Sequence, residues 1–245
     1  MTQPDTTAHD GWNSRSIGLI GEEGVNLLAG ARVLIAGVGG VGGYAAEMLA
    51  RSGVGHLTLV DADCVSVSNI NRQLIALGST VGLPKTELFA ARFRDINPDV
   101  DVEPLQQYIT PDNVQALLEP GYNFVVDCID TVAPKTALIA EAFRTHTPII
   151  SSMGAGGRLD PTKVGYFDVW ETREDGLARA VRQRLKKTGL RKPLKVVAST
   201  EAPRPSAIIE LNEPNKRSSY GTLATIPSLF GIYLGSYVVN KLIGL

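Results

Sequence analysis

The stretch ARVLIAGVGGVGGYAAEMLARSG, residues 31–53, decides the fold. Its first seven residues form a continuous apolar run ending in glycine, the pattern of a strand buried on both faces of a parallel sheet. GVGGVGG (37–43) follows, placing Gly37, Gly39 and Gly42 in G-x-G-x-x-G spacing, with Gly40 among them. Glycines belong there because the turn is tight and the backbone must approach a phosphate closely. The unpaired N–H groups at the start of the next helix then face the anion. Helical spacing takes over at 42–53, and a second strand is predicted over 56–63. Asp61 lies 19 residues past Gly42 near the end of that strand, the spacing of an acid that holds a ribose. G-x-G-x-x-G alone is a weak signal; with the strand, the helix and Asp61 in place it reads as a nucleotide site.

The alternation continues outward. Helix is predicted over 17–29, 85–96, 110–119 and 133–146, and strand over 100–108, 122–130 and 147–153. In the 110–119 helix, Thr110 is read as the cap and Pro111 as the first helical residue. Strand alternating with helix predicts an α/β fold built on a doubly wound, mostly parallel sheet with a Rossmann-like nucleotide half. After GAGGRLDPTKV (154–164) the pattern changes to a basic helix ending near Lys187 and strands over 195–200 and 206–211. An apolar segment closes the chain. We expect a flexible segment over 1–14 and a single domain over 15–245.

Between Tyr220 and Asn240 that last segment carries no charge, a length able to span a bilayer. Thr, Ser, Pro and four Gly dilute it, so a helix packed on the sheet is favoured over a membrane anchor. The chain has two cysteines, Cys64 and Cys128, and no C-x-x-C pair, which argues against a disulfide framework and a structural zinc site. The start of the chain lacks a signal pattern. These features point to the cytoplasm, with peripheral contact to the inner membrane through the apolar C-terminus as the open alternative. The net charge of -1 hides an asymmetry. Residues 173–195 hold nine of the 24 basic residues and two of the 25 acids, leaving the rest at a net of -8. A solvated helix face is one reading of that run, and an anionic partner is the other.

Which nucleotide binds is decided by DADCVSVSNINRQ, residues 61–73. A dinucleotide and hydride transfer would be the default. Asn69 and Arg72, with Asp63 and Gln73 beside them, add polar groups that such a site does not need, and Lys85 in GLPK adds a cation a helix later. Asp130 closes the predicted strand YNFVVDCID at the carboxyl edge of the sheet, where ligands bind in these folds. Singly, Arg72 and Lys85 read as surface charges and Asp130 as a helix cap. Together, the phosphate-directed side chains and the carboxylate suit a triphosphate with Mg²⁺ on Asp130.

GVGGVGG, D-x-D (61–63), N-x-N-R-Q (69–73), the GLPK lysine and V-D-C-I-D resemble the adenylating enzymes related to ubiquitin-activating enzyme. These include the molybdopterin- and thiamine-synthesis adenylyltransferases. The resemblance runs from about Ser14 to the end and implies that Asp61 holds the ATP ribose, that Asn69, Arg72 and Lys85 contact phosphates, and that Asp130 positions Mg²⁺. It also implies a homodimer in which Arg15, before the first helix, reaches the phosphates of the other subunit. The C-terminal strands and helix would complete the fold. Most members carry a zinc-binding double C-x-x-C, and many a downstream cysteine for a thioester or persulfide. Here no cysteine follows Cys128, and Cys64 and Cys128 read as buried structural residues.

TPDNV (110–114), GAGGRLDPTK (154–163), D-x-L-A-x-x-V-R-x-R-L-K (175–186) and STEAP (199–203) resemble one branch, the bacterial tRNA threonylcarbamoyladenosine dehydratases, also tied to the cysteine sulfinate desulfinase system. That branch implies ATP-dependent ring closure of the threonylcarbamoyl group beside the anticodon, with Arg15, Arg72, Lys85 and Asp130 carrying the chemistry. Its tRNA would meet segment 173–195 by charge. Sulfur-transfer proteins are further candidate partners, and a monovalent cation a further candidate cofactor beside ATP and Mg²⁺. GAGG (154–157) reads either as a source of backbone N–H groups near the reacting carboxyl or as a tight turn. The rival readings are an adenylyltransferase acting on a small ubiquitin-like protein, a NAD-dependent oxidoreductase, and a non-catalytic scaffold for sulfur transfer.

Overall fold

The computed structural model describes residues 11–213 and 216–245, with the side chains of 211–219 left out of the description. Strand β1 (Arg32–Ala36) explains the layering. Val33 and Ile35 pack into the apolar cluster on one face of the sheet, Leu34 and Ala36 into that on the other, and all four are fully buried. A two-residue side-chain period with both faces apolar demands cover on both sides. Helices α2 (Gly42–Ser52), α3 (Lys85–Ile96) and α7 (Thr225–Leu242) supply the first cover through Leu49, Phe89, Phe93 and Phe230. Helices α4 (Val114–Leu118) and α5 (Val132–Arg144) supply the second through Leu117 and Leu138. A third cluster joins α6 (Gly176–Lys187) to strand β7 (Lys195–Ser199).

With β2 (His56–Val60), β3 (Asp101–Leu105), β4 (Phe124–Asp127), β5 (Ile149–Ser152) and β6 (Val164–Asp168), the main sheet has the order β3-β2-β1-β4-β5-β7-β6. Every pairing is parallel except β6 with β7. The doubly wound, mostly parallel sheet is therefore as expected, and its winding reverses between β1 and β4. Strand β6 was not anticipated: its short run, VGYFD, is half exposed and interrupted by Gly165, so no apolar period marks it. The strand expected over 206–211 lies at 208–213 and leaves the main sheet. As β8 (Ile208–Glu213) it pairs antiparallel with β9 (Lys216–Tyr220) in a two-stranded ribbon.

The predicted helix over 110–119 begins only at Val114. The Asn113 side chain accepts the Thr110 N–H at 2.8 Å, closing a turn, so Thr110 does not cap and Pro111 is not the first helical residue. Helix α1 (Ser14–Ala29) is kinked at Gly21, whose φ is 69°. Helix α7 lies on α2 with Gly231 and Gly235 at the contact, in the role preferred for the apolar C-terminal segment. No helix among the described residues is long and apolar enough to cross a membrane. Of the segment expected to be flexible, residues 1–10 lie outside the described residues, and Ser14 already belongs to α1.

Candidate functional site

At the reversal between β1 and β4, the loops after both strands diverge and open a cleft of about 670 Å³. Gly37, Gly39, Gly40 and Gly42 form one wall, leading into the N-terminus of α2. A Cβ on Gly42 would lie 1.8 Å from the Gly37 carbonyl oxygen, so no other residue permits this turn.

Asp61 stands just past β2. Its carboxylate accepts the Val38 N–H and the Asp63 N–H, both at 2.9 Å, which ties the glycine loop to the second strand. Burial raises its pKa, with the Lys85 charge and these two N–H groups opposing. Lys85, the first residue of α3, is 3% exposed and holds Asp63 Oδ2 at 2.8 Å. Asn69 closes a 3₁₀ turn (Val67–Asn69), its Oδ1 accepting the Ser66 N–H at 3.1 Å. Arg72 is propped by the Ser68 carbonyl at 2.7 Å and Asn71 Oδ1 at 3.0 Å. Gln73 is buried, and its Oε1 has no hydrogen-bond partner among the described residues. Asp61, Asp63, Asn69, Arg72, Gln73 and Lys85 all line the cleft, as does Asp130, which is exposed at the rim after β4. Two cations and the start of a helix beside one ribose-spaced acid form a wall suited to a polyanion. Arg15 is not brought here; it is exposed on α1, outside the lining.

The turn that carries Asp130 rests on groups that sequence reading missed. Asp127 at the end of β4 and Lys135 in α5 form an ion pair at 2.8 Å with both side chains 0% exposed. Lys135 also donates to the Ile129 carbonyl at 2.9 Å, while Asp127 accepts the Ile129 N–H at 3.1 Å and the Ser151 hydroxyl at 2.6 Å. The Ile129 peptide unit and its neighbour are thereby held from both sides. The only signal in the sequence is an acid inside an apolar strand with a lysine eight residues on.

Gly154, Ala155, Gly156, Arg158 and Asp175 line the same cleft. Arg158 and Asp175 were also missed, because 43 residues separate Arg158 from one of its partners, Glu201. Helix α6 starts at this wall, where Gly176 and Leu177 face the cleft. Ala178, Val181 and Leu185 are buried, while Arg179, Arg184, Lys186 and Lys187 are exposed. Arg173, Arg191, Lys192 and Lys195 are exposed as well, and Arg182 turns inward to the Val169 carbonyl. The basic run is thus a mostly cationic surface, with Glu174 as its exposed acid, that begins at the cleft.

The cysteines divide. Cys64 is exposed, contrary to the buried role expected: β2 ends at Val60, and the chain has left the sheet before residue 64. Cys128 lines the cleft half-buried, and burial, with the Asp127 carboxylate next, pushes its thiol pKa far up while Lys135 opposes. It is held as the inert thiol. Among the described residues no group of three or more His, Cys, Asp or Glu could hold a metal ion. A single carboxylate at the rim suits Mg²⁺, which keeps several waters and takes its other oxygens from phosphates.

Several known proteins are similar to this chain over most of its residues. The chain is 40% identical over 238 residues to the tRNA threonylcarbamoyladenosine dehydratase of Bacillus subtilis (strain 168), covering 94% of each. It is 46% identical over 180 residues to the enzyme of that name from Escherichia coli (strain K12), covering 72% of this chain and 67% of that one. A crystal structure of the E. coli tRNA N6-threonylcarbamoyladenosine dehydratase in complex with ATP superposes with a TM-score of 0.86 at 39% identity, covering 95% of both chains. A family model described as the ThiF family matches residues 13–244, so the glycine loop, the cleft and the helix that closes the chain all fall within one match, and the protein belongs to the ThiF family.

Proposed function

We propose that this protein is an enzyme that uses ATP to dehydrate threonylcarbamoyladenosine in tRNA, closing a ring on the nucleoside beside the anticodon. The observation that carries the reading is the cleft itself. A nucleotide half walled by the glycine loop, Asp61, Arg72 and Lys85 faces an acceptor half that opens onto an exposed basic helix. The resemblance over nearly the full length to a dehydratase solved with ATP supports the same assignment.

The threonyl carboxylate attacks the α-phosphate of ATP and pyrophosphate leaves. Asp61 accepts from the ribose, and the N-terminus of α2, Asn69, Arg72 and Lys85 stabilise the charge that builds on the phosphates. Asp63 holds Lys85 in place at 2.8 Å, and Gln73 supplies a buried acceptor beside the loop. Mg²⁺, held by Asp130, would neutralise part of the triphosphate charge. The acyl adenylate is then captured by its own carbamoyl group, which expels AMP. Capture within one molecule is favoured by proximity and needs no enzyme thiol, in keeping with the raised pKa of Cys128. The tRNA is drawn in by the exposed cations of residues 173–195. We further propose a single domain over 15–245, a cytoplasmic enzyme, and a homodimer in which Arg15 acts in the cleft of the other subunit. The exposed position of Arg15 on α1 and the exposed apolar Leu19 and Leu27 of the same helix support the dimer.

The test is ATP–pyrophosphate exchange. Exchange stimulated by tRNA bearing threonylcarbamoyladenosine supports the reading. Exchange stimulated by a small ubiquitin-like protein with a C-terminal glycine, and not by that tRNA, overturns it.

A further inference from the structure

The acceptor half of the cleft is organised around one guanidinium. Arg158 is 3% exposed and donates to backbone carbonyls from three separate segments. Nε reaches the Glu201 carbonyl at 2.8 Å, and one terminal nitrogen reaches the Glu174 carbonyl, also at 2.8 Å. The other terminal nitrogen reaches the Gly154 carbonyl, and more distantly the Gly156 carbonyl at 3.4 Å. Asp175 Oδ2 lies at 3.4 Å from the guanidinium and accepts the Gly154 N–H at 2.9 Å. The other oxygen of Asp175 accepts the Ala178 N–H at 2.9 Å and so caps α6. Glu174 has a φ of 51°, unusual for a side-chain-bearing residue, and its carbonyl is one of those held.

This network dictates where the loop's donors go. A trans peptide directs its N–H opposite to its C=O. With the Gly154 carbonyl on Arg158, the Ala155 N–H must face away from the guanidinium, and it has no acceptor among the described residues. The Gly157 N–H, by contrast, is taken by the Gly221 carbonyl at 3.0 Å. Gly157 has a φ of 77°, and a Cβ there would lie 2.9 Å from the Tyr220 ring, so the loop is closed against the β8–β9 ribbon. Arg158 also absorbs carbonyl oxygens that would otherwise repel an anion in the acceptor half.

We infer that Arg158 is a positioning residue that fixes the Gly154–Ala155 peptide so that the Ala155 N–H donates to the acyl oxygen of the threonyl adenylate, where negative charge develops as the carbamoyl group attacks and AMP leaves, and that with Asp175 it locks this loop to the start of the basic helix α6. The inference rests on the reading that the acceptor half receives the threonyl carboxylate. Arg158 then acts on the chemical step only through the Ala155 N–H, and nucleotide binding is left to the glycine loop.

The experiment measures kcat and KM for dehydration of threonylcarbamoyladenosine-bearing tRNA, and ATP affinity by calorimetry, in two variants. Arg158→Lys keeps the charge, but its three donors radiate from one atom and cannot reach the carbonyls that Arg158 meets with three separate nitrogens. The second variant replaces Ala155 by lactate, turning its peptide into an ester that lacks the N–H while leaving Arg158 untouched. A misplaced or missing donor to a developing oxyanion costs on the order of a hundredfold in rate. Both variants are expected to lose kcat by about that factor, with ATP affinity within about twofold of wild type. An ester variant whose kcat stays within about twofold of wild type overturns the inference, as does a loss of ATP affinity in parallel with kcat. Should Arg158→Lys fail to fold, the ester variant still decides whether the Ala155 N–H is the donor. A wild-type protein inactive on this tRNA sinks the functional reading, and the inference with it; an active wild type with an unaffected ester variant overturns the inference only.

Discussion

Replacing Lys135 by methionine tests whether the ion pair beneath the cleft braces the turn that carries Asp130. Lys135 and Asp127 are both fully buried 2.8 Å apart, and Asp127 has the Ser151 hydroxyl and the Ile129 N–H as its remaining donors. Methionine fills most of the volume but strands a carboxylate without its cation. Removing one partner of a buried pair costs about 3–5 kcal/mol, because the other charge is left uncompensated. For a chain of 245 residues each kcal/mol lowers the melting temperature by about 2–4 °C, giving a drop of about 6–20 °C by differential scanning calorimetry. Asp127→Asn in the same chain removes the stranded charge while keeping a group that can meet Ser151 and the Ile129 N–H. The double variant should therefore recover most of the stability. It should not recover activity, because the Ile129 carbonyl still lacks its donor and the turn loses its fixed geometry. A single variant melting within about 2 °C of wild type would mean that the pair does not brace the fold, and a double variant with full activity that Lys135 does not hold the turn.

Glu47 of α2, 4% exposed, holds Arg51 and Arg92; burial raises its pKa, but the two arginines outweigh it and the net shift is downward. A depressed carboxylate contributes stability above its ordinary value of 4.5 that is lost as pH falls through the folded value. Glu47→Gln should thus melt lower than wild type at pH 7, with the gap narrowing below pH 4.5, whereas a gap constant with pH would count against the pair. If Arg15 serves the other subunit's cleft, Arg15→Ala and Arg72→Ala proteins, each inactive, should regain activity when co-refolded, since some mixed dimers carry one intact site. Absence of any recovery would place Arg15 outside the chemistry. For the basic surface, Arg184→Ala with Lys187→Ala should make the dependence of tRNA affinity on salt shallower by about 1.4–1.8 in log–log slope. An unchanged slope would mean that α6 does not meet the RNA backbone.

Local chemistry made half of the site legible and tertiary pairing hid the rest. The glycine loop, Asp61, Asn69, Arg72 and Lys85 fall within 49 residues of one another, between strand ends that any parallel sheet brings together. Their spacing carries the geometry. Arg158 and Asp175 meet only because β5, α6 and the loop after β7 converge, a juxtaposition that no period in the chain announces. The Asp127–Lys135 pair lies close in sequence, yet an acid inside an apolar strand does not by itself name its partner; burial of both side chains gives the pair its meaning. Cys64 was misjudged for a related reason. An apolar run marks where a strand begins more sharply than where it ends, and here pairing stops at Val60. Strand β6, at the sheet edge with Tyr166 half exposed, has too little burial to leave a pattern.

A cleft that uses ATP to activate a carboxylate on tRNA and close a ring there must yield a dehydrated nucleoside. Mass spectrometry of nucleosides from threonylcarbamoyladenosine-bearing tRNA, incubated with the protein, ATP and Mg²⁺, tests it directly. A nucleoside lighter by the mass of one water is expected, formed with one AMP per event and absent with Arg72→Ala. A nucleoside of unchanged mass, under conditions where the protein binds both ATP and the tRNA, would contradict it.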